Sequence, residues 1–167
     1  MSDVDEYNLR YGILGRHPEE FYGAIGRVVC VCAVLEEQVT TLRHTLENAF
    51  QGKSTQEPVG QQIKAARRSA KGLTEQARAK VEGFLDDVEA AFAYRNKLVH
   101  SSFPAQPDGR VWGHRATRDK KVVEGAADTV ETSLDELRAF IERLSALISS
   151  FNQIHSMARM LADPASV

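Results

Sequence analysis

The chain has 167 residues, enough to bury a real core, and 43% hydrophobic with 26% charged residues is an ordinary balance for a folded protein. A net charge of −2 with a pI near 6.2 argues against strong nonspecific nucleic-acid binding. The acidic start Met1-Ser2-Asp3-Val4-Asp5-Glu6 lacks the apolar core of a secretory signal, and the longest apolar run, Val28 to Leu35, is far short of the roughly 20 residues a membrane span needs, so a single cytoplasmic domain over residues 1–167 with no membrane anchor is expected.

Residues 1–17 form an N-terminal segment ahead of the first periodic stretch. From Pro18 to Phe50, Phe21, Ile25, Val28, Cys32, Leu35, Val39, Leu42 and Leu46 recur at alternating steps of four and three, the seam of a helix packed on other helices. Pro18 suits the first helical turn, Glu19 and Glu20 favour the positive end of the helix dipole, and Gln51-Gly52-Lys53-Ser54 stops the helix. A shorter, more polar helix follows from about Pro58 to Ala70, ending before Gly72. Thr74 is placed to cap the next helix, in which Val81, Leu85, Val88, Phe92, Arg95 and Val99 share a face.

Between Ser101 and Thr132 the helical period is lost, and Pro104, Pro107, Asp108 and Gly109 mark a connection. Arg110 to Arg115 and Lys120 to Glu124 are candidate strands of a short hairpin, though neither alternates cleanly. Ser133-Leu134-Asp135-Glu136 has capping-box spacing and opens a last helix with Leu134, Leu137, Ile141, Leu144, Ile148 and Phe151 on one side; residues 162–167 read as a frayed tail. The fold class is therefore all-α, an up-down bundle of four to five helices with a short β-hairpin between the last two long ones.

Cys30 and Cys32 point about 200° apart on a helix, so they neither bridge nor chelate together and are read as buried small hydrophobes. His17, His44, His114 and His155 are dispersed without metal-site spacing, so neither a metal nor another cofactor is expected. The chemistry-bearing stretch is Arg95-Asn96-Lys97-Leu98-Val99-His100, which puts a permanent cation, an amide and a titratable imidazole within one and a half helical turns. Phosphodiester cleavage needs these groups: a proton-transfer group near neutral pH and a fixed positive charge for the phosphoryl centre.

Arg95, Asn96 and His100, set in a helical bundle near the end of its third long helix and followed by Ser101-Ser102-Phe103, resemble the Arg-polar-x3-His motif of HEPN domains. The resemblance spans roughly Pro18 to Leu161 and implies a metal-independent RNA endonuclease, a toxin or defence effector whose site forms where two protomers meet. It also implies a separate antitoxin or regulatory protein. RNA supplies its own 2′-hydroxyl nucleophile, so His100 is suited to remove or donate the proton, Arg95 to hold two phosphoryl oxygens, and Asn96 to orient either the imidazole or the phosphate. The expected ends are a 2′,3′-cyclic phosphate and a 5′-hydroxyl.

Spacing constrains that site: at about 100° per residue Asn96 and His100 lie about 40° apart and Arg95 about 140° from His100, so Arg95 must swing across, the helix must loosen, or a second copy must complete the set. A two-fold homodimer with all three residues of both chains lining one cleft is expected. The competing reading makes Arg95 a stem over the core and Asn96 and His100 helix-end caps of a non-catalytic module that dimerises or binds a nucleotide or a protein. Candidate RNA contacts are Lys64, Arg67, Arg68 and Lys71, and in the connection Arg110, Arg115, Arg118, Lys120 and Lys121; the alternative for each charge run is a solvated face. Trp112 and His114 either stack on a base or, for Trp112, pack on the bundle.

Overall fold

The stripe beginning at Phe21 folds as helix α1 (Glu19–Leu46), with Glu19 and Glu20 in its first turn and Arg43 and His44 in its last, each sign matched to the dipole end it occupies. The computed structural model describes residues 4–10, 17–47, 57–104, 111–116 and 127–162. Helix α2 (Val59–Ser69) tightens into a single 3₁₀ turn, Ala70–Gly72. Helix α3 (Glu75–Val99) starts where Thr74 predicts, its Oγ1 accepting the Ala77 N–H at 3.4 Å. Helix α4 (Leu134–Ala162) opens on Ser133, whose Oγ accepts the Glu136 N–H at 3.1 Å. Beyond Ala162 the expected tail lies outside the described residues, as do the end of the first expected helix past Glu47 and its stop at 51–54.

Strands β1 (Val111–Ala116) and β2 (Ala127–Thr132) pair antiparallel, with Val111 opposite Thr132 and Ala116 opposite Ala127. The second strand of the described hairpin is Ala127–Thr132, whereas Lys120 to Glu124, where a strand was expected, lies outside the described residues. Along Thr129-Val130-Glu131-Thr132 exposed and buried residues alternate, and three of the four are β-branched, which gives the pleated, half-buried surface that a strand needs. The fold is all-α as expected: a helical bundle, with four α-helices among the described residues and one short hairpin between the last two long helices. No helix among the described residues is long and apolar enough to cross a membrane.

The chain forms two compact units. The first, Met1–Val29 with Tyr94–Ile141, buries Phe21, Val28, Leu98, Phe103, Leu137 and Phe140. Its aromatic rings meet edge to face, Phe21 on Phe103 at 5.5 Å and Tyr94 on Phe140 at 4.7 Å between centroids. The Tyr94 hydroxyl lies 3.2 Å from Thr132 Oγ1, which satisfies a buried hydroxyl on β2. At the N-terminus Asp5 Oδ1 accepts the N–H groups of Tyr7 and Leu9 and closes a small turn through Asn8 at φ 61°.

The second unit, Cys30–Ala93 with Glu142–Val167, buries Leu35, Val39, Leu42, Ile63, Val81, Leu85 and Leu144. Cys32 is buried but Cys30 is exposed, which corrects half of the cysteine reading: two residues along a helix reach opposite sides, so only one can join the stripe. The α3 stripe is wider than the spacing predicts, taking in Ala77, Phe84 and Ala91. On α4 the expected seam loses Leu134, Ile141 and Ile148 to half-buried positions, while Phe140 and Ala158 are buried.

Replacing Ser133 by Ala removes the acceptor for the first turn of α4 and is expected to lower unfolding free energy by about 1 kcal/mol in denaturant titrations. His155 stacks on Phe151 at 5.3 Å between ring centroids and lies 2.9 Å from Thr45 Oγ1. Burial, then the Arg159 charge, hold its imidazole below the ordinary value of 6.5. The unfolded chain therefore takes up a proton first as pH falls below 6.5, so the fold loses stability from there down to the depressed value and no further. Unfolding curves of wild type across that window are expected to show this loss, and those of His155→Gln to lack it.

Candidate active site

Helix geometry divides the hexad. Arg95 continues the buried stripe of α3 and is half-buried, whereas His100, about 140° further round at about 100° per residue, is exposed. The Arg95 Nη1 donates to Asn96 Oδ1 at 3.0 Å, and Arg95 Nε is buried with no hydrogen-bond partner. With its oxygen engaged by the guanidinium, Asn96 has its amide N–H groups left for donation. The structure thus joins Arg95 to Asn96; His100, one turn beyond Asn96, shares no side-chain hydrogen bond with either among the described residues.

His100 closes the helix: its N–H bonds the Asn96 carbonyl at 3.2 Å. The segment leaving it is fixed at each residue. Ser101 Oγ donates back to the Lys97 carbonyl at 2.6 Å, satisfying one of the terminal carbonyls of α3. Ser102 pairs with His114 of β1: its N–H donates to the His114 carbonyl at 3.0 Å, and its carbonyl accepts the His114 N–H at 2.9 Å. Phe103 is buried beside Phe21, and its carbonyl lies 2.8 Å from His17 Nε2. His17 also packs its ring on Phe21 at 4.8 Å.

The approach of β1 to this segment requires glycine. A Cβ at Gly113 would stand 2.7 Å from Ser101 Cβ and 2.8 Å from the Phe103 ring, inside van der Waals contact. Sequence reasoning set His17 aside among dispersed histidines and passed over Gly113. Only the glycine had a local signal, as a glycine within a candidate strand.

Of the basic candidates, Lys64, Arg68 and Lys71 are exposed on α2 and its 3₁₀ turn. Arg67 is held by Asp86 at 2.7 Å and Glu89 at 2.8 Å, so it fastens α2 to α3. Arg110, Arg118, Lys120 and Lys121 lie outside the described residues, as do the side chains of Trp112 and Arg115. His114 is half-buried. Among the described residues no group of three or more His, Cys, Asp or Glu is placed to hold a metal ion. No protein-family model, curated protein or solved structure matches the chain.

Gly113→Ala forces Ser101 and Phe103 to move, and overpacking of this kind costs about 1–3 kcal/mol. The expected outcome is a lower melting temperature, with chemical shifts at Ser101 to Phe103 and His100 perturbed before those of α2.

Proposed function

We propose that this chain is a metal-independent RNA endonuclease of HEPN type, acting in the cytoplasm as a toxin or defence effector. Its site is a cleft between two copies, with Arg95, Asn96 and His100 from each. The observation that carries the reading is the hydrogen-bonded pair Arg95–Asn96, with a buried guanidinium N–H still without a partner, on the same helix end as an exposed imidazole. A phosphodiester supplies acceptor oxygens for the half-buried Arg95 guanidinium and for the Asn96 amide. The helical bundle and the place of the motif at the end of the third long helix support the same family reading.

The chemistry follows from the groups. One imidazole accepts the 2′-hydroxyl proton as that oxygen attacks the adjacent phosphorus; the bond from phosphorus to O5′ breaks, and a protonated imidazole gives its proton to the departing O5′. Arg95 neutralises the charge gathering on the non-bridging oxygens, and the Asn96 amide donates beside it. Products are a 2′,3′-cyclic phosphate and a 5′-hydroxyl, and DNA, without the nucleophile, resists. The angle between Arg95 and His100 on one helix favours assembly from two chains, each giving what the other's geometry withholds. A separate antitoxin or regulatory protein fits this role.

One observation favours a second reading. Arg95 continues an apolar stripe and bonds its own neighbour, as a stem covering the core does, so the same segment also suits a non-catalytic module that binds a nucleotide or a protein. The test is incubation of the purified protein with transfer and messenger RNA in EDTA, with analysis of the ends. Wild type is expected to cut, and His100→Ala and Arg95→Ala to lose on the order of a hundredfold or more in rate while staying folded. Intact RNA in all three would leave the module reading.

A further inference from the structure

Within the second unit, a groove of about 630 Å³ runs between α3 and α4. Its floor and walls are largely apolar, with Phe84, Leu147, Ile154, Met157 and Met160, and Met160 is 56% exposed. A methionine-rich groove of this kind adapts to a packed partner.

The rims differ in character. From Leu144 to Ala158 helix α4 has no Asp, Glu, Lys or Arg, although its exposed positions include Ser149, Ser150, Asn152 and Gln153. A solvated helix face normally carries charge, and loss of charge with uncharged polar groups around an apolar centre is the composition of a contact surface. The α3 rim has two charges, Lys80 and Asp87, both exposed and neither in an ion pair among the described residues. They lie about 10 Å apart along the helix and about 20° apart around it, with Gly83 between them. A Cβ at Gly83 meets nothing within 4 Å, so the surface there is open and low.

This charge pattern is complementary to itself. We propose that the groove takes a second copy of the chain, with the two α3 helices crossing antiparallel at Gly83 and Phe84. A two-fold axis at that point sets Lys80 of each copy opposite Asp87 of the other and lays the uncharged stretch of α4, Leu144 to Ala158, against its counterpart. A different protein would need an acid and a base in the reverse order and an uncharged face besides; the chain carries all three. The contact uses residues of α3 before Ala93 and of α4 from Leu147 to Met160, none of them in the Arg95 to His100 segment, so it goes beyond the nuclease reading and does not rest on it.

Charge reversal tests the symmetry in sedimentation or light-scattering titrations. Wild type is expected to self-associate. Lys80→Glu places two acids together twice in one dimer, and Asp87→Lys two bases, so each variant alone associates on the order of tenfold more weakly. Mixed in equal amounts they restore both pairings, and the mixture is expected to associate at least about tenfold more tightly than either alone. Gly83→Gln raises the melting temperature, since glutamine favours helix over glycine, yet weakens association by filling the crossing point. A monomeric wild type overturns the proposal. So do reversal variants that associate like wild type, which would place the contact elsewhere, the Arg95 to His100 cleft included, and so does a mixture no tighter than its components.

Discussion

The end of α3 is held by a backbone approach that only glycine permits. Gly113 brings β1 against Ser101 and Phe103, and with that distance set, the Ser102–His114 pairing, the burial of Phe103 on Phe21 and the bond from His17 to the Phe103 carbonyl are all satisfied together. The last turn of α3 is therefore not a frayed terminus. His100 is exposed on a segment whose next three residues are each fixed by a different element.

That rigidity matters because the hexad is split by its own helix. A guanidinium facing inward and an imidazole facing solvent have few ways to meet on one helix, since a rigid turn does not rotate to bring them together. Arg95 is pre-oriented by Asn96, which in the proposed nuclease lowers the entropic cost of holding an anion. What the arrangement gains in order it gives up in reach, and in the proposed nuclease a second chain supplies the missing group. The nuclease reading and the two-fold cleft stand together on this geometry.

The second unit follows other physics. Arg67 joins α2 to α3 through two carboxylates, and Thr45 and His155 join α1 to α4 through one hydrogen bond beside Phe151. Surface ion pairs of this kind add little stability singly, so the apolar seams of α1, α3 and α4 carry most of the unit's cohesion. The uncharged length of α4 departs from the chain's 26% charged composition and coincides with the groove. Composition and shape there point to one surface by independent routes.

Local period made the helices legible: steps of three and four fix which residues share a side, and Thr74 and Ser133 announce the starts of α3 and α4 through their own side chains. The hexad was equally visible, as was its angular conflict. Contacts between residues distant in sequence were not. The second strand is set by pairing with β1, and nothing near Gly113 tells which residues will press on it. Cys30 and Cys32 look alike in sequence and differ only because α1 has one buried side. Arg67 and Lys64 likewise sit on one basic run, yet only Arg67 meets the carboxylates of α3. By itself the sequence determined the helices, their caps and the candidate groups, because those depend on neighbours a turn away. Tertiary structure alone decided the strand register, the clamp beneath His100 and the groove, because each requires surfaces brought together from far apart in the chain.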